Sequence, residues 1–139
     1  MGRLKRLAVA AACAGALMAD ASQSLPGALD SGLVGAWATN LPDCKRLFQR
    51  RGQLAFRQPV DKFAQAAIIG PQTISLPAST CQIRQASRAS DVIKISADCR
   101  DAISYTSQTA EIKVKSSSEI VYSPTGDPAL ATTLIKCPL

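Results

Sequence analysis

The chain reads as an all-β protein, a small antiparallel β-barrel held by two disulfides, and three observations predict this. Short runs such as Val92–Ala97 and Glu111–Lys115 alternate apolar with polar residues, as half-buried strands do. Turn residues separate the runs every few positions, and β-branched residues fall inside them. No stretch shows the sustained apolar period of a long amphipathic helix. Short strands are best served by a closed barrel, which leaves no unpaired edge; a β-sandwich is the alternative.

The first residues stand apart. In MGRLKRLAVAAACAGALMADASQS, the basic residues Arg3, Lys5 and Arg6 precede an apolar run from Leu7 to Ala19, and small residues flank Asp20. This is the pattern of a secretory signal peptide over residues 1–21, so the mature protein is expected in the periplasm or secreted. The run is too short to span roughly 30 Å of hydrocarbon, and no other stretch is long enough, so no transmembrane segment is expected. Cys13 lies inside the apolar run, and lipidation there is the alternative to its removal with the peptide. Removing 1–21 takes away three bases and one acid, leaving 13 basic and 9 acidic residues and a formal charge of +4. That favours contact with acidic surfaces without demanding nucleic acid. Residues 22–32, rich in small and polar residues, are expected to form a flexible lead-in to a single β domain over 33–139.

The elements follow in order. Leu33–Thr39 is the first expected strand. Asp43 is placed as the cap of a helical turn over Cys44–Gln49, which Gly52 ends. Gln53–Gln58 alternates and stops at Pro59. Ala66–Ile69 is a strand closed by the Gly70-Pro71 turn, and Gln72–Leu76 and Thr80–Arg84 follow around Pro77. Val92–Ala97, Ala102–Thr109, Glu111–Lys115, a run around Ile120–Tyr122, and Ala131–Lys136 complete eight or nine strands. Expected core residues include Trp37, Leu54, Phe56, Ile69, Ile83, Ile93 and Ile95. Ile103, Tyr105, Ile112, Val114 and Tyr122 complete that set.

Cys44, Cys81, Cys99 and Cys137 remain after export and allow three pairings. Cys81 and Cys99 lie on two strand-like runs joined by the polar segment QASRAS, and folding that hairpin brings them opposite each other. Spacing therefore favours Cys81–Cys99 and Cys44–Cys137 over the other two pairings. A thiolate metal site is disfavoured, because the chain has no histidine and the cysteine spacings are 37, 18 and 38 residues. No metal and no cofactor is expected; the glycines are scattered and form no phosphate loop.

Gly35-Ala36-Trp37 at the head of the first strand resembles the G-x-W motif of lipocalins and of the bacterial metalloprotease-inhibitor barrels. That likeness implies a Trp37 that closes one barrel end and a Gly35 that lets another segment pass closely. A lipocalin is longer by several strands. The inhibitor likeness implies an N-terminal arm, here Ser22–Gly32, that enters a protease cleft. The whole arrangement is also similar to small periplasmic β-barrel-like proteins of alphaproteobacteria. They share a G-x-W-A opening, a cysteine soon after, an I-I-G-P turn and a final Cys-Pro, and the likeness brings no activity with it.

Catalytic chemistry is poorly supplied. Without histidine the usual general base is missing, and bridged cysteines offer no thiolate. Asp98 and Asp101 flank Cys99 and Arg100, and a histidine-free enzyme built on them is the alternative to a non-catalytic binding protein or a protease-inhibitor-like one. The candidate binding residues are Lys45, Arg46, Arg50 and Arg51, beside Cys44. They are expected to draw an acidic envelope protein or an anionic surface. Nucleic acid is not expected, because most of the aromatic residues fit core positions and export separates the protein from it.

Overall fold

The computed structural model describes residues 28–139; the expected signal peptide, Cys13 and residues 22–27 lie outside the described residues. Eight antiparallel strands close a barrel. In order around it run β1 (Gly35–Ala38), β10 (Thr132–Lys136), β9 (Glu119–Pro124), β8 (Tyr105–Ser116), β7 (Val92–Arg100), β6 (Thr80–Ala89), β5 (Thr73–Ser75) and β4 (Ala66–Ile69). The helix α1 (Leu41–Leu47) and a separate two-stranded hairpin, β2 (Phe48–Arg51) with β3 (Gln53–Phe56), form a lobe outside the barrel wall.

Alternation fills the barrel. Trp37, Ile69, Ile74, Ile112, Ile120 and Leu134 point inward and are almost wholly buried, and Ile83, Ile93, Ile95 and Tyr122 pack with them. The opposite parity of β1 and β4 points outward. Ala36, Ala38, Ala66 and Ile68 are covered there by Leu47, Phe48, Leu54 and Phe56 of the lobe, a second apolar cluster. Small alanines on the barrel wall let the helix and hairpin approach closely. The Phe48 and Phe56 rings, opposite each other in register, meet at 5.2 Å.

Both disulfides form. Cys81 and Cys99 are direct cross-strand partners of β6 and β7 and face the barrel core. Cys44 on α1 is bonded to Cys137 just after β10, with Cα atoms 5.5 Å apart, and both cysteines lie in the second cluster. That bond fastens the lobe to the barrel.

Residues 29–33 cross one end of the barrel. Leu29 and Leu33 are buried in the main core. The Leu29 N–H donates to Pro71 O at 2.7 Å. Asp30 pairs with Arg88, and Lys136 Nζ donates to Gly32 O at 2.7 Å. Trp37 Nε1 donates to Leu33 O at 2.9 Å from inside the core. The described part of the lead-in is thus pinned, and residues 29–33 are not the free arm that the inhibitor likeness implies. Burial of Leu29, beside Leu33 at the start of the expected first strand, overrode the polar composition around it.

Gly35 makes this closure possible. Its φ is +144°, and a Cβ there would meet Lys136 Cε at 3.1 Å, on the stem that carries Nζ to Gly32. Gly35→Ala should therefore cost about 1–3 kcal/mol through backbone strain and displacement of Lys136. A denaturant melt unchanged from that of the native protein would refute this.

Several local expectations are corrected. The helix starts at Leu41, three residues before Cys44, and Asn40 is its cap: its side chain accepts from the Asp43 N–H at 3.0 Å. Asp43 lies in the first turn instead. Residues after Leu47 leave the helix at once, because Phe48 pairs with Phe56. QASRAS belongs mostly to β6; the turn comes later, where Ser90 takes a positive φ of 58°. The runs 102–109 and 111–115 merge into one strand, β8. Ile112 faces inward on it, so odd-numbered positions face out. Tyr105 is consequently exposed, and Ile103, in the β7–β8 turn, is 97% exposed. Leu54, Phe56 and Val114 are half-buried, packed at the margins of the two clusters.

Candidate functional site

The lobe carries all four candidate binding residues, and its apolar side is already used against the barrel. Lys45 and Arg46 sit on α1, and Arg50 and Arg51 on β2, all exposed. The structure brings them onto one small unit, but it does not leave them equivalent. Arg46 is neutralised. Its Nη2 lies 2.9 Å from Asp43 Oδ1 and its Nη1 lies 3.7 Å from Asp61 Oδ2. The Arg46 bond is the main reason that the Asp43 carboxyl is held below the usual carboxylate range. Among the described residues Lys45, Arg50 and Arg51 form no ion pair, and neither does Arg57.

Arg57 was missed by sequence reading. Its N–H donates to Leu47 O at 2.7 Å, closing the base of the hairpin, and its Nε donates to Lys45 O at 2.8 Å. Gly52, between two runs of alternating residues, is the signal that β2 and β3 form a hairpin. Pairing them around Gly52 brings Arg57 back beside the helix. Four unpaired cations therefore stand on a unit held to the barrel by a covalent bond and an apolar cluster. Such charges lose little ordering entropy on contact.

The barrel end opposite residues 29–33 holds a shallow mouth of about 350 Å³, lined by Leu76, Pro77, Tyr122, Leu130 and Leu134, with Lys62 at its edge. Neighbouring Phe63 is 95% exposed and Leu130 is more than half exposed. Tyr122 and Leu134, which line the mouth, belong to the packed barrel core.

Asp98 and Arg100, two apart on β7, line one pocket of about 360 Å³ with Tyr105, whereas Asp101, just beyond the strand, does not line it. Asp98 pairs with Arg84 and accepts from Ser107 Oγ at 2.7 Å. Asp101 accepts from the N–H groups of Ile103 and Ser104 at 2.8 and 2.7 Å, and from Ser104 Oγ at 2.8 Å. It organises the turn. The Ser107 hydroxyl and then Arg84 hold the Asp98 carboxyl below its ordinary value, and the Ile103 N–H and then Ser104 do so for Asp101. Both carboxylates are therefore stabilised in the ionised form, the opposite of a raised general acid.

Among the described residues no three acids or cysteines gather as metal ligands, and no helix is long and apolar enough to cross a membrane. Comparisons with protein-family models, with curated proteins and with solved structures find no match to this chain.

Proposed function

We propose that this chain is an exported, non-catalytic binding protein of the cell envelope, periplasmic or secreted, whose basic lobe holds an acidic envelope protein or anionic surface. The observation that carries this reading is the group Lys45, Arg50, Arg51 and Arg57: four cations without ion pairs among the described residues, on a lobe fastened by Cys44–Cys137. The amino-terminal pattern over 1–21 supports export, and the ionised, locally bonded Asp98 and Asp101 support a non-catalytic role. Like charges held near one another attract polyanions and anionic patches, and the attraction weakens with salt.

The test is affinity capture from an envelope extract at low and high salt. It compares the native protein with a variant carrying Arg50→Glu, Arg51→Glu and Arg57→Glu. Among the described residues Arg50 and Arg51 make no side-chain bond, and Arg57→Glu keeps the backbone bond to Leu47 O while losing the one to Lys45 O, so the variant should fold, which circular dichroism checks before capture. Its recovery of the native protein's partners should fall at least tenfold, as should native recovery at high salt. Equal recovery under all conditions would overturn the reading. A second reading, a small amphipathic ligand at the mouth, is supported by the apolar lining there and the adjoining Lys62.

A further inference from the structure

We propose that the partner of the basic lobe enters as an extended acidic segment that adds a third strand to the β2–β3 hairpin along β3. This rests on the reading of the lobe as the binding surface and specifies how the partner is held.

The hairpin register locates the open edge. Arg57 N–H bonds to Leu47 O in register with the β2–β3 pairs, so Leu47 and Arg57 form a hydrogen-bonded pair. Antiparallel ladders alternate bonded and non-bonded pairs. Gln49 with Ala55 and Arg51 with Gln53 are then bonded, whereas Phe48 with Phe56 and Arg50 with Leu54 are not. The backbone N–H and C=O groups of Leu54 and Phe56 consequently point away from β2. Among the described residues, β3 pairs with β2 alone, and no other backbone hydrogen bond reaches Leu54 or Phe56. The barrel has no such edge, because its eight strands close. The lobe therefore exposes the kind of strand edge that natural proteins usually cover.

The space beside that edge is a groove of about 420 Å³. β3 forms one wall through Leu54 and Phe56. The floor is the outward row of the barrel, Ile68, Ser75 and Thr80, which are neighbours across β4, β5 and β6. Arg100, paired with Thr80 in register, stands on the far side. Asp101 also lines the groove, but its carboxylate is engaged by Ile103 and Ser104. Arg100 forms no ion pair among the described residues, and Arg50 lies opposite Leu54 on the hairpin. A segment laid against β3 thus finds backbone donors and acceptors on one side, apolar surface at Leu54 and Ile68, and the Arg100 cation on the far side. An extended chain alternating acidic with apolar residues fits that chemistry, and strand addition is a recurrent mode of peptide recognition.

The probe is a seven-residue blocked peptide, alternating Glu and Val, added to the intact mature protein at low salt. Amide hydrogen exchange should slow at least tenfold at Leu54 and Phe56 when it binds, while the barrel amides remain unchanged. A peptide N-methylated at alternate residues, in each of the two phases, should lose the protection in one phase. The Lys-for-Glu peptide should not bind. Absence of binding by the Glu/Val peptide, or binding that leaves Leu54 and Phe56 unprotected, would overturn strand addition. So would equal binding by both N-methylated forms. Equal binding by the Lys peptide would overturn the acidic specificity. If charge reversal at Arg50, Arg51 and Arg57 abolishes partner capture while the peptide fails to protect β3, the basic lobe stands as the binding surface and only the strand addition falls.

Discussion

Trp37→Ala is expected to cost about 3–5 kcal/mol, a large fraction of the stability of a domain this size. Trp37 is fully buried in the main core, so the replacement leaves a large cavity among Ile69, Ile112 and Leu134. It also removes the only indole in the chain, whose Nε1 holds Leu33 O across the barrel end. The cation of Lys136, 5.6 Å from the ring, loses its aromatic partner as well. Two consequences separate this from a simple cavity. Amides of residues 29–33 should exchange faster in the variant, because the bond anchoring that segment is gone. Trp37→Phe should recover most of the packing but not the Leu33 bond, and so should fall between native and Ala. Chemical denaturation followed by circular dichroism measures the first effect, and hydrogen exchange the second. A loss below about 1 kcal/mol for Trp37→Ala would mean that the barrel collapses into the space without penalty, contrary to the packing described here.

Removing the Cys44–Cys137 bridge by Cys44→Ala and Cys137→Ala together is the second large effect. The bridge closes 93 residues, and chain-entropy reasoning gives it about 4–5 kcal/mol, against about 3 kcal/mol for the 18-residue Cys81–Cys99 loop. The shorter loop is also closed by the β6–β7 ladder itself, whereas α1 meets the end of β10 only through Cys44 and its apolar neighbours. The double variant should therefore lose more stability than the Cys81/Cys99 pair. It should also show faster amide exchange across β2 and β3 than across the barrel. Equal losses for the two pairs, with uniform exchange, would show that the bridge does not hold the lobe separately.

The all-β class and the Cys81–Cys99 pairing were legible because each depends on short-range pattern, and Cys44–Cys137 followed as the remaining pair although it spans 93 residues. Alternation with period two marks strands whatever their neighbours, and the 81/99 spacing fits one hairpin. Leu29 shows where composition misleads: an apolar residue in a polar stretch is buried at the barrel end, where Leu33 and bonds to Pro71, Arg88, Lys136 and Trp37 hold residues 29–33 with it. The strand limits near QASRAS were missed for a related reason. Polar residues can occupy a strand whose outer face meets water, so polarity alone does not mark a turn.

The sequence by itself determined which residues alternate and which cysteines survive. The inside face was legible for most strands, as Ile69, Ile83, Ile93, Ile95 and Ile112 show, but only the tertiary structure decided it at the start of β8. One parity holds along β8, which sends Tyr105 outward, while Ile103 falls in the β7–β8 turn before the strand begins. The candidate site divided in the same way. Lys45, Arg46, Arg50 and Arg51 were visible as a basic cluster, but their pairing was not. Asp61 reaches Arg46 from beyond the hairpin, and Arg57 returns to Lys45 across it. Charge signs are written in the chain, whereas the distances that decide which charges cancel arise only when the hairpin folds back on α1.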